Sequence, residues 1–252
     1  MPGKYCADVV FCLDASGSMG PCFDALRRQL GCFVDGLRSG GQMAWDLRFD
    51  FLAHRAGEKD GRGVHHFQSL RKEGMDLVRG LYQSRDAQDG FFTQNVDEFT
   101  RGLAELKAYG DEASFVALDT CLDFPWRDAV NCHRVVILLT DEALETGVCL
   151  PEQTRQIDAL IEKLHTLRVK LFLVGPESAA FDAVCAADRS EYLVIDDDQS
   201  GLASVELGKV LEVMGKSVSV SLIQNTPAER AAPRGLFGQA SWHPASANFK
   251  ES

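Results

Sequence analysis

Residues 9–19 read Val9-Val10-Phe11-Cys12-Leu13-Asp14-Ala15-Ser16-Gly17-Ser18-Met19. Five apolar residues in succession predict a strand buried on both faces, as in a parallel sheet covered by helices. The run stops at the carboxylate of Asp14. Hydroxyls follow at alternate positions, Ser16 and Ser18, with Gly17 between them, and a helical pattern begins near Cys22. Oxygen groups at the carboxyl end of a buried strand, in a loop opening onto a helix, lie where open α/β sheets bind ligands. Three hard oxygen donors so close together suit Mg²⁺ better than zinc or iron. Helix capping is the competing reading of the same residues, since Asp and Ser are favoured there.

Outward from this stretch, strand and helix patterns alternate. Residues 22–37 carry apolar side chains with a 3.6-residue period and stop at Ser39-Gly40-Gly41, which predicts a helix. Residues 43–53 alternate through Trp45, Leu47, Phe49 and Phe51, which predicts a strand. Residues 54–60 turn polar and read as a loop, and residues 64–68 read as a short strand returning along residues 44–53. A weak helical pattern over 74–83, a polar loop over 84–90 and a short edge strand at 91–93 are expected next. Helices follow over 96–106 and 115–124, separated by a break at Tyr109-Gly110-Asp111-Glu112-Ala113.

A second fully apolar strand, Val135-Val136-Ile137-Leu138-Leu139, runs into Thr140-Asp141-Glu142. Beyond it come a helix over 152–167, a strand over 171–174, a short helix over 179–187, a strand over 192–195 and a helix over 201–214. Strands apolar on both faces and separated by helices predict a doubly wound, mostly parallel α/β sheet. After residue 225 no period is visible and a weakly ordered tail is expected; Leu236, Phe237 and Trp242 are apolar enough to dock on the body or on a partner.

A chain of 252 residues accommodates one large α/β domain or two small ones, with core enough to need no staples. A net charge of -11 argues against a general nucleic-acid or anionic-membrane binder. No stretch approaches the roughly 18 apolar residues of a membrane span. Residues 1–5 lead into the first strand without a signal-peptide core, so a cytoplasmic location is expected. The eight cysteines form no C-x-x-C pair, and several lie within apolar runs; buried thiols in a reducing compartment are expected.

The Asp14-x-Ser16-x-Ser18 pattern, together with the strand ending Thr140-Asp141, resembles the metal-ion-dependent adhesion site (MIDAS) of von Willebrand factor A domains. The order of elements from residue 7 to about 222 fits that family as well. Glu142 stands where the family commonly has glycine. The family's third element is a threonine opening a helix after a glycine-rich turn; Ser114 takes that place here, with Asp111 and Glu112 as further candidates. The resemblance implies a von Willebrand A-like domain over residues 1–222, an insertion at about 54–90 as a specificity element, and the tail over 223–252. It implies Mg²⁺, or Mn²⁺ in its stead, held by Asp14, Ser16, Ser18, Ser114 and Asp141, with a protein partner's Asp or Glu completing the shell. It further implies a binding module without catalysis, working beside an ATPase, kinase or other effector in a bacterial stress, metal-resistance or defence system.

Other signals are weaker. His65 and His66 point to opposite faces of a strand and cannot chelate together. No glycine-rich phosphate loop is present. A Mg²⁺-dependent phosphohydrolase using Asp14 as nucleophile would want a proton donor two residues on, where Ser16 stands. Asp196-Asp197-Asp198 reads as a solvated acidic rim, with a second cation site as the alternative. A metal-free scaffold binding through the insertion or the tail is the third class left open.

Overall fold

The computed structural model describes residues 5–38, 45–59, 62–71, 90–146, 153–187, 189–195, 202, 206–224 and 241–244. β1 (Tyr5–Asp14) is buried from Ala7 to its end, as its apolar run requires. A short 3-10 turn, Gly17–Met19, leads into α1 (Gly20–Arg38). β2 (Trp45–Lys59) and β3 (Arg62–Ser69) form a hairpin. α2 (Val96–Ala104) is capped by Asn95, whose side chain accepts from the Asp97 and Glu98 amides. Then come α3 (Ser114–Leu122), β4 (His133–Leu139), α4 (Ile157–Leu167), β5 (Val169–Pro176), α5 (Ala179–Cys185), β6 (Ser190–Ile195), α6 (Leu207–Gln224) and β7 (Ser241–Pro244).

The strands form one sheet in the order β3-β2-β1-β4-β5-β6-β7. β1 lies between β2 and β4 and runs parallel to both; β4, β5 and β6 continue parallel, while β3 and β7 are antiparallel edges. Alternation of side chains along each strand divides the core in two. Val9, Phe11 and Leu13 pack with α1, α2 and α6, whereas Val10 and Cys12 pack with α3, α4 and α5. This is the doubly wound α/β sheet expected from the sequence. Its register sets Asp14 beside His54 on one side, and Leu13 beside Leu139 on the other. The first and second apolar strands therefore end side by side.

α1 and α6 cross at backbone contact. A Cβ on Gly36 would come 2.2 Å from the Glu212 carbonyl oxygen, and one on Gly215 would come 2.3 Å from that of Phe33.

Several expected boundaries move. The polar residues 54–59 are strand rather than loop, because they pair with β3 from Leu52↔Ser69 to Lys59↔Arg62. Residues 91–93 do not form a strand; Thr93 makes one bridge to Phe49. α4 begins at Ile157, later than the pattern suggested, and α6 begins at Leu207 and continues to Gln224. Within the stretch after 225, Ser241–Pro244 pairs with β6, Trp242 opposite Leu193. The expected helix at 74–83 and the Asp196-Asp197-Asp198 rim lie outside the described residues. Cys12, Cys22, Cys121, Cys132 and Cys185 are buried free thiols, and Cys6 and Cys32 are half-buried. Among the described residues no helix is long and apolar enough to cross a membrane.

Candidate metal centre

Three loops meet at the carboxyl end of β1. The first is Asp14–Met19. Asp14 is fully buried, and its Oδ1 accepts the Ser16 amide at 2.7 Å. Ser16 is buried and Ser18 is exposed, their hydroxyls 3.3 Å apart. Capping does not account for Ser16, whose side chain makes no capping hydrogen bond to the 3-10 turn that follows it.

The second loop leaves β4 at Thr140. The Thr140 hydroxyl donates to Asp14 Oδ2 at 2.9 Å and accepts the Glu142 amide at 3.3 Å. Thr140 thus ties the ends of β1 and β4 together, a role that its place in the Thr-Asp pair did not disclose. Asp141 and Glu142 follow, both partly exposed. Asp141 Oδ1 is nevertheless buried and without a hydrogen-bond partner.

The third loop runs from Tyr109 into α3. Tyr109 donates its amide to the Ala15 carbonyl at 2.8 Å. Gly110 turns the chain at φ 83, in the left-handed region that glycine adopts without strain. Asp111 then exchanges two backbone hydrogen bonds with Ala56, at 2.5 and 2.9 Å. The Ala113 amide donates to His54 Nδ1 at 3.3 Å, and the Phe115 amide to Gln153 Oε1 at 2.8 Å. This pinning turns Glu112 and Ser114 inward, to 1% and 0% exposure, and leaves the Asp111 side chain exposed. Of the candidates on this loop, Glu112 and Ser114 are buried with the site and Asp111 is not. Glu112 Oε2 and Ser114 Oγ are buried without partners.

The electrostatics are those of crowded acids. Burial pushes the Asp14 carboxyl up to about 7; the charge of Asp141 adds to this, against the opposing pull of the Ser16 amide and the Thr140 hydroxyl. Burial also raises Glu112, together with a hydrogen bond shared with Glu142 and the charge of Asp14. None of Asp14, Glu112, Asp141 or Glu142 forms an ion pair with Lys or Arg among the described residues. Three buried oxygens without hydrogen-bond partners, on Ser114, Glu112 and Asp141, are what a hard divalent cation could satisfy, and the donor set is all oxygen. In donor chemistry the residues fit Mg²⁺. The set mixes hydroxyls with carboxylates; among the described residues no three His, Cys, Asp or Glu side chains form a metal cluster by themselves.

No protein-family model matches the sequence, and no curated protein matches it. Solved structures do match the fold. One is described as "von Willebrand factor type A from Catenulispora acidiphila": TM-score 0.50, 15% identity, covering 85% of this chain and 43% of that one. The fold is von Willebrand A-like. Another is proximal thread matrix protein 1 from the mussel byssus, with TM-score 0.51 and 12% identity over 86% of this chain and 49% of that one. The von Willebrand A-like chain thus spans less than half the length of either structure. At such identity the likeness speaks for architecture alone.

Proposed function

We propose that this von Willebrand A-like domain is a metal-dependent protein-binding module without catalysis. Mg²⁺ would be held by Asp14, Ser16, Ser18, Ser114 and Asp141, with Glu112 as a further donor from the third loop. The observation that carries the reading is the convergence of three loops on Asp14, with four acids that no Lys or Arg among the described residues neutralises. When bound, the ion supplies an electrophilic position that an incoming carboxylate can fill. The chain's own residues do the rest. Thr140 and the Ser16 amide fix the Asp14 carboxylate through both of its oxygens. His54 and Gln153 hold the backbone entering α3, and so the place of Ser114. The partner class is a protein presenting an exposed Asp or Glu, and the expected resemblance to effector-associated modules makes an ATPase or kinase of the same system the first to test.

Calorimetric titration with Mg²⁺ and Mn²⁺, on wild type and Asp14→Ala, tests the metal. Pull-downs from native lysate with and without EDTA test the partner. Saturable binding lost in Asp14→Ala, and a captured protein lost in EDTA, are expected. Capture that is unchanged in EDTA and in Asp14→Ala would overturn the reading in favour of a metal-free scaffold.

A further inference from the structure

β2 outruns β1. Its pairing with β1 ends at Asp14↔His54, and the next residue, Arg55, is 4% exposed. No carboxylate pairs with its guanidinium among the described residues. Instead Nη1 donates to the Lys107 carbonyl at 2.6 Å, Nη2 lies 3.1 Å from His66 Nδ1, and the guanidinium carbon sits 4.2 Å from the centre of the Tyr109 ring. Its Nε is buried without a partner.

A cation stripped of water and given no counter-charge is expensive to bury, and an apolar side chain would fill the same space at less cost. Core packing does not explain this arginine; its contacts do. Two of the three fall on residues 107–109, the lead into the third loop, and the next residue of β2, Ala56, makes the two backbone bonds to Asp111. The stretch from Arg55 to Ala56 therefore grips the third loop on both sides of Gly110. A Cβ on that glycine would come 2.9 Å from the Ala56 carbonyl oxygen, so the loop lies directly against the strand.

We propose that Arg55 is a positioning residue of the metal centre: by clamping the Lys107 carbonyl and the Tyr109 ring it sets the third loop, so that Glu112 and Ser114 are presented to the site. This rests on the metal reading above for its purpose, while the clamp itself can be tested without metal. In the metal-free protein, hydrogen exchange at the Tyr109, Asp111 and Ala113 amides is expected to quicken about tenfold or more in Arg55→Gln, with the Val10 and Ile137 amides unchanged. Mn²⁺ titration should show affinity falling roughly 10–100-fold in Arg55→Gln, the usual range for groups that orient metal ligands, with partial rescue by Arg55→Lys. In a Glu112→Ala, Ser114→Ala background the same substitution should cost less than about twofold, because the ligands that it positions are gone. Unchanged exchange at the three amides, or an equal loss of affinity in both backgrounds, would overturn the proposal. If wild type binds no Mn²⁺, the metal reading fails by itself, and exchange alone decides the clamp. Should Arg55→Gln not fold, Tyr109→Ala, at a residue 53% exposed, removes the stacking half of the clamp and is held to the same outcomes.

Discussion

Asp8 and Asp14 lie six residues apart on β1, face the same side of the sheet and are both fully buried, yet their surroundings are opposite. At the amino end, Asp8 receives Arg48 Nε and Nη2 at 2.8 and 2.6 Å, and the Arg127 amide and Nε at 2.8 and 2.7 Å. Burial alone would raise the Asp8 carboxyl; the hydrogen bonds from Arg48 and Arg127 outweigh it and hold the group below the usual carboxylate range. Arg127 also donates to the Ala7 and Asp46 carbonyls, so charge and hydrogen bonding close on themselves. At the carboxyl end, Asp14 has hydrogen-bond donors but, among the described residues, no paired cation, and other acids gather round it. One end of the strand is complete with what the chain supplies. The other leaves its acids without a Lys or Arg partner among the described residues.

The largest effect expected from this contrast is at the closed end. Asp8→Asn takes the only paired carboxylate among the described residues from Arg48 and leaves Arg127 with that of Asp46 alone, and should cost about 3–5 kcal/mol in urea unfolding, the range for breaking a buried pair by removing one partner. Asp14→Asn, at equal burial, relieves repulsion, so the metal-free variant should be no less stable than wild type. A loss at Asp14 as large as that at Asp8 would break the contrast.

Next in size is the response to metal. Mg²⁺ at a hundred times its dissociation constant should stabilise wild type by about 2.7 kcal/mol in thermal or urea unfolding, and leave Asp14→Asn unmoved.

The pH dependence should have opposite sign at the two ends. Asp8 has a folded-state pKa below its unfolded value of 3.8, so its contribution is complete above that value and is lost as pH falls through the folded one. Asp14 is raised from 3.8 to about 7, so the folded state holds a proton that the unfolded state has released, and stability declines as pH rises across that interval without metal. Stability differences between wild type and each Asn variant, measured from pH 3 to 8, separate the two.

The smallest effect serves as the control. Lys163, paired with Asp119 and Asp123 at 2.7 Å on the surface of α4, belongs to neither end; Lys163→Ala should cost under about 1 kcal/mol and leave metal binding intact.

How these features stood in the sequence follows from their range. β1 and β4 were legible because a strand buried on both faces is an unbroken apolar run, and Asp14 and Asp141 because they end such runs. Asp8 was not, since its partners lie 40 and 119 residues away and leave no local pattern. The extension of β2 was hidden for a similar reason: His54-Arg55 and Glu58-Lys59 look like loop until pairing with β3 makes them strand. On the third loop, the family resemblance singled out Ser114 and left Asp111 and Glu112 open. The hydrogen bonds of Asp111 with Ala56, of Ala113 with His54 and of Phe115 with Gln153, all distant in sequence, decide which acid faces in. Trp242 was conspicuous, but its pairing opposite Leu193 depends on an edge that no local signal marks.

The crossing of α1 and α6 has a consequence for how this protein can change over generations. Where side chains separate two helices, a misfit at one position can be relieved by trimming another. At Gly36 and Gly215 the opposing surface is the peptide backbone itself, which has nothing to trim. Replacements there should lack second-site suppressors within the opposite helix, and the pair would drift only if α6 were re-seated as a whole.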